Sequence, residues 1–174
     1  DYLKRPEFTD PEIRRASLAS VILRLRHLGL GAVEDFPFLD PPQPSRVQEG
    51  YRELAELGAL DDNRQITAPG RRMANLPVQP RFARILLEAR TNGALEPALI
   101  IVSMLSVQDP RERPQNKKGE AEAAHKRFLH AKSDFLGWLQ LWKFYDDALA
   151  TLPSKAQARK FCRQNFLNYL RMQE

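Results

Sequence analysis

Ser45-Arg-Val-Gln-Glu-Gly-Tyr-Arg-Glu-Leu-Ala-Glu-Leu-Gly58, continued by Ala59-Leu-Asp-Asp-Asn-Arg-Gln-Ile-Thr67 and Ala68-Pro-Gly-Arg-Arg-Met-Ala74, is the stretch on which the fold turns. Ser45 has the chemistry of a helix cap, and Val47, Tyr51, Leu54 and Ala55 fall on one face of the helix behind it. Gly58 closes that helix. Leu60 to Thr67 reads as two very short strands around Asp61-Asp62-Asn63-Arg64, which has hairpin turn chemistry. Pro69 then opens a short helix that must stop before Pro77.

Upstream, Thr9-Asp10-Pro11-Glu12 is a helix start: an Asp cap, a proline at the first helical position and an acid in the first turn. The helix behind it sets Leu18, Val21, Ile22, Leu25 and Leu28 on one face, and Gly29 and Gly31 end it. Phe36-Pro-Phe-Leu-Asp-Pro-Pro42 cannot be helical, and its aromatic pair is expected to plug the connector into the core. Two helices, a small β-hairpin and a further helix outline a winged-helix domain over residues 1–76.

Residues 77–174 read as a separate helical bundle. Pro80 starts a helix expected to bury Phe82, Ile85, Leu86 and Ala89, ended by Asn92-Gly93. Ala94 to Val107 is apolar nearly all round, which predicts a buried central helix. It empties into Gln108-Asp-Pro-Arg-Glu-Arg-Pro114, a proline-bounded basic loop, and a polar helix follows from Glu120 to about His130. Ser133 caps a helix with an aromatic stripe of Phe135, Trp138, Trp142 and Tyr145, and Pro153 starts a last segment holding Phe161, Cys162, Phe166 and Tyr169. At helical spacing these aromatics are core before they are a stacking platform.

The 174 residues carry a net charge of +5. It is unevenly placed: residues 1–76 are about −1, and residues 77–174 are +6. The excess gathers in two patches, 111–132 and 155–174, each net +4. Clustered positive charge suits a polyanion backbone, because neutralising phosphates releases counterions. The candidate contacts are Arg111, Arg113, Lys117, Lys118, Lys126 and Arg127, with Lys155, Arg159, Lys160 and Arg163 as a secondary patch. Solvated helix faces are the competing explanation.

Other chemistry is missing from the sequence. The eight glycines are scattered and form no phosphate-binding loop. His125 and His130 lie five residues apart, off the spacing of a metal motif, and the single Cys162 has no histidine nearby in sequence. No catalytic or metal-ligating residue is assigned, and no cofactor is expected in this chain. A lone cysteine, the lack of a signal peptide and the shortness of the apolar run at Leu99 lead us to expect a reducing, cytoplasmic setting without a membrane. The start at Asp1 and the helical last residues suggest a fragment truncated at its C-terminal end.

Several stretches resemble a known family. Arg5-Pro-Glu-Phe-Thr-Asp-Pro-Glu-Ile-Arg-Arg-Ala-Ser-Leu-Ala-Ser-Val-Ile-Leu23 is similar to the segment that follows the second RecA-like domain of DEAH-box RNA helicases. Phe36 to Pro42, Leu57-Gly-Ala-Leu60, Thr67-Ala-Pro-Gly-Arg71 and Leu76-Pro-Val-Gln-Pro-Arg81 resemble the same helicase-associated region. Gln108 to Pro114, His125-Lys-Arg-Phe128 and Ser133-Asp-Phe-Leu136 are closest to the bacterial HrpA branch. Eukaryotic members have Gly-Asp-His-Leu where this chain has Ser133 to Leu136, so no role of that histidine carries over.

The resemblance implies a mainly α chain: a winged-helix domain followed by a helical ratchet-like domain. It implies an accessory region of an ATP-dependent RNA helicase, inactive alone, that lines the RNA channel and couples ATPase motion to translocation. ATP and Mg would then belong to two RecA-like domains outside this chain. Single-stranded RNA, those domains and an oligonucleotide-binding-fold domain would be its partners. A stand-alone winged-helix regulator and a protein-interaction module are the alternatives. The regulator needs a groove-reading helix, yet Arg46, Gln48 and Arg52 are opposed by Glu49, Glu53 and Glu56.

Overall fold

The computed structural model describes residues 18–174. The helix start expected at Asp10 and Pro11 lies outside them. The chain divides into two compact units, Asp1–Glu88 and Ala89–Glu174, and both are mainly helical.

In the first unit, α1 (Leu18–His27) packs on α2 (Pro44–Glu56). Leu18, Ala19, Ile22, Leu23 and Leu25 of α1 meet Val47, Tyr51 and Leu54 of α2 in one core. Burying each such aliphatic chain is worth roughly 1.5–3 kcal/mol. Leu28 is left exposed, and so is Ala55. Gly50 lets the two helices approach, since a Cβ there would press on the Ile22 side chain and the Ala19 backbone. Ser45 does not cap α2: the cap position is Gln43, and Pro44 takes the first turn, where its missing N–H costs nothing. The tilted pair Phe36 and Phe38 packs against this core as half-buried side chains.

The expected hairpin is not formed as strands. A single antiparallel bridge joins Leu60 to Ile66, and the turn between is held by Asp61. The Asp61 Oδ1 accepts from the backbone of Asn63 and Gln65 at 2.9 and 2.8 Å. That local bond network closes the loop within one bridge and leaves no length for a ladder. Thr67 caps α3 (Ala68–Ala74) by accepting from the Gly70 N–H at 3.0 Å, and its own hydroxyl donates to the Gly58 carbonyl at 2.6 Å. Gly70 has no room for a Cβ, which would run into the Ala59 carbonyl. In α4 (Pro80–Thr91) the inward residues are Pro80, Ala83 and Leu86, while Ile85 is exposed and Phe82 and Ala89 are half-buried.

In the second unit, α5 (Leu95–Ser106) packs on α7 (Asp134–Leu149). It is not buried all round: Val102 and Met104 are inside, while Leu95, Leu99 and Leu105 are exposed. A helix packed along one face buries one stripe, whatever its composition. The polar helix starts earlier and ends sooner than expected, as α6 (Lys118–His125) followed by a 3-10 turn over Lys126–Phe128. Ser133 stands at the N-cap of α7 without a side-chain cap bond. Ser154 does cap α8 (Lys155–Gln164), and Asn168 caps α9 (Tyr169–Gln173). Met104, Phe128, Leu141, Tyr145, Cys162, Leu167 and Met172 form the core, with Trp138, Trp142, Phe144 and Phe161 packed against it. The aromatic stripe is therefore mostly core, although Phe135 stays exposed.

Candidate nucleic-acid interface

Pro110 to Glu112 is not a free loop. Its backbone pairs with Phe166 to Asn168 through an antiparallel bridge between Arg111 and Leu167. The Glu112 N–H donates to the Phe166 carbonyl at 2.8 Å, and the Asn168 N–H donates to the Pro110 carbonyl at 2.7 Å. The same Phe166 carbonyl is 3.0 Å from His125 Nε2, which must be the donor, since a carbonyl only accepts. Arg171 Nη1 donates to the Asp109 carbonyl at 3.0 Å. Phe166 sits in the left-handed region at φ 53°, a conformation uncommon outside glycine, so the clamp holds it against local preference.

His125 is buried, and its Nδ1 has no hydrogen-bond partner among the described residues. Burial pushes its pKa below the ordinary 6.5; the bond to Phe166 opposes that, and the charges of Arg111 and Arg113 add to it. A neutral imidazole with the proton on Nε2 is what the clamp needs.

The candidate cations divide by what they already hold. Arg111 is only 15% exposed in its side chain and forks onto Asp109, with Nη2 to Oδ2 at 2.8 Å and Nε to Oδ1 at 3.0 Å. Burial raises the Asp109 pKa, but the bonds from Arg111 outweigh it and hold the carboxyl below its ordinary value. Lys117 and Lys118 make long surface pairs with Glu120 and Glu122 at 3.7 and 3.9 Å, worth little each. Arg127 donates to the Ala124 carbonyl at 3.0 Å and lies 4.9 Å over the Phe144 ring. Arg113 and Lys126 are exposed and make no side-chain ion pair or hydrogen bond among the described residues, although the charge of Arg113 helps hold the Asp109 carboxyl low. In the secondary patch Lys155, Lys160 and Arg163 are likewise exposed and unpaired among them, and Arg159 lies 5.3 Å over the Tyr169 ring.

The turn of the first unit spends its cation differently. Arg64 pairs with Glu34 at 3.4 Å, donates to Gln48 at 3.3 Å and stacks 4.2 Å over Tyr51. On α2, Glu53 takes Arg81 at 2.8 Å, in a polar cleft that Glu49 and Glu56 also line. A helix edged with acids repels the DNA groove that a regulator would read.

No group of histidine, cysteine and carboxylate side chains among the described residues is placed to hold a metal. Cys162 is buried, and burial pushes its thiol up to about 11, so it packs as an apolar residue. No helix among the described residues is long and apolar enough to cross a membrane.

Residues 51–78 match the family described as helicase associated domain (HA2), winged-helix, and residues 79–138 match helicase associated domain (HA2), ratchet-like. The whole chain is 47% identical to the ATP-dependent RNA helicase HrpA of Escherichia coli and covers 14% of that protein. This chain belongs to the helicase-associated HA2 family, in its HrpA-type DEAH-box branch. It is also 47% identical, over its full length, to the HrpA homolog of Haemophilus influenzae, again covering 14% of that protein. The human ATP-dependent RNA helicase DHX33 is 32% identical over 97% of the chain, which covers 23% of it. The chain therefore spans about a seventh of the length of the HrpA relatives it matches.

The clamp between Pro110–Glu112 and Phe166–Asn168 is not foreshadowed by any pattern in the sequence, nor are the roles of His125 and Asn168.

Proposed function

We propose that this HA2 region lines the single-stranded RNA path of a bacterial, cytoplasmic ATP-dependent RNA helicase and couples movement of the ATPase domains to translocation. The observation that carries this reading is the surplus of exposed, unpaired cations in the second unit: Arg113 and Lys126, then Lys155, Lys160 and Arg163 on α8. Translocation has to tolerate any sequence, so contact falls on phosphates rather than base edges. Of the candidates around the clamp, Arg113 and Lys126 are available as they stand; Lys117 and Lys118 need only give up weak pairs, whereas Arg111 serves the clamp. ATP and Mg are bound by RecA-like domains, and the chain alone hydrolyses no ATP. The first unit, near neutral and with Arg64 engaged, acts as a packing element against the ATPase core.

The test is charge reversal in a full-length helicase containing this region. Arg113→Glu with Lys126→Glu is expected to lower RNA-stimulated ATPase and unwinding several-fold, with the ATPase in the absence of RNA unchanged. Full unwinding in that variant would take these residues off the RNA path.

A further inference from the structure

An open cleft of about 370 Å³ lies between α8 and the start of α9, lined by Arg159, Arg163, Asn168, Tyr169, Leu170 and Glu112. Its volume falls in the range of ~300–1,000 Å³ usual for small-ligand sites. Three chemistries face it. Arg159 and Arg163 stand one helical turn apart on α8, exposed, with no acid paired to either among the described residues. Arg159 is steadied by the Tyr169 ring at 5.3 Å. Leu170 is 67% exposed on the rim, a large apolar side chain that the fold does not use. Glu112 gives one carboxylate oxygen to Asn168 Nδ2 at 2.8 Å, and its Oε2 has no hydrogen bond among the described residues.

The walls are fixed before anything binds. Asn168 is held three ways: its N–H on Pro110, its amide on Glu112 and its Oδ1 accepting from the Arg171 N–H at 3.1 Å. The clamp thus carries Glu112 across to face α8, although it lies 56 residues from Asn168 in sequence. A ligand for this cleft needs an anion for the arginines, a flat apolar face for Leu170 and a hydrogen-bond donor for Glu112. An acidic peptide supplies the first but sets further carboxylates against Glu112.

We infer that this cleft is a one-nucleotide subsite for single-stranded RNA, with the phosphate on Arg159 and Arg163, the base against Leu170, and the ribose 2′-hydroxyl donating to Glu112 Oε2. The subsite rests on the RNA-path reading above and adds to it both a place and a preference for ribose. A 2′-hydroxyl is the group that separates RNA from DNA at a single site.

The test uses the 174-residue chain and fluorescence anisotropy with labelled oligouridylate and oligodeoxyuridylate of equal length. Arg159→Gln with Arg163→Gln should weaken RNA binding several-fold. The slope of log affinity against log salt should become shallower by about 0.7 for each phosphate that is no longer neutralised. Arg159→Lys with Arg163→Lys should restore most of the affinity. Glu112→Gln keeps the acceptor for Asn168, so the clamp survives, and should narrow the RNA-to-DNA preference without weakening DNA binding. Unchanged affinity and salt slope in the double glutamine variant, beside clear binding by the wild type, would overturn the subsite and leave the RNA path standing elsewhere. No salt-dependent binding by the wild type would bring down both. Equal competition by a polyglutamate peptide would overturn the nucleotide in favour of an acidic protein segment.

Discussion

Among the described residues each unit contains one isolated antiparallel bridge, and the two are built in opposite ways. Leu60 and Ile66 are six residues apart and are brought together by a turn that Asp61 organises locally. Arg111 and Leu167 are 56 apart, and their bridge exists because two loops are docked by a buried histidine, an asparagine and a core leucine. The local bridge absorbs its own cation, Arg64, into contacts with Glu34, Gln48 and Tyr51. The distant bridge consumes Arg111 but presents Glu112 across a cleft from Arg159 and Arg163. Charge counted along a sequence says where cations are, and the fold decides which are free to meet a ligand.

The largest effect expected from breaking this contrast is at the distant bridge. Leu167 is 2% exposed, so Leu167→Ala removes core packing and the anchor of the clamp together, at a cost of ~3 kcal/mol in the second unit. Gly70→Ala should cost the first unit about 2 kcal/mol by driving a methyl group into the Ala59 carbonyl beside the local bridge. Denaturant unfolding of each variant checks both, and a Leu167→Ala protein as stable as the wild type would mean the clamp contributes nothing.

A smaller, pH-dependent effect comes from His125, whose folded pKa is depressed below 6.5 mainly by burial. Between that depressed value and 6.5 the unfolded chain holds a proton that the folded chain excludes. Stability is therefore fully present above about pH 7, falls as pH drops through that window, and levels off below the folded pKa. His125→Gln keeps an N–H donor toward Phe166 without a titrating ring, and should flatten that fall. Thermal melts at several pH values compare the two slopes, and equal slopes would remove His125 as the acid-sensitive part of the clamp.

The first unit was the more legible because its signals are local. The Leu18 to Leu25 and Val47 to Leu54 faces, the Thr67 region and the prolines each act within a turn or two, and similarity to HA2 proteins supports the assignment. Even there, Gln43 takes the cap position expected at Ser45, with Pro44 as the first helical residue, and the hairpin shrinks to one bridge. The second unit departs from the sequence expectation where neighbours decide. Leu99 and Leu105 look like core until α5 is seen to bury only the Val102 and Met104 side, and Arg111 looks free until Asp109 is seen folded onto it. The candidate cations were visible as a patch, but no pattern in the sequence places Glu112 opposite Arg163.

On the proposed function, unpaired cations of the second unit meet a single RNA strand while Arg64, engaged in the first unit, does not. The most direct measurement is oligouridylate affinity of the 174-residue chain from about 50 to 200 mM salt, for the wild type and for Arg64→Gln. Affinity is expected to fall several-fold or more over that range, and Arg64→Gln to leave the whole curve in place. Affinity independent of salt, or a curve that Arg64→Gln shifts as far as Arg159→Gln with Arg163→Gln does, would contradict the claim.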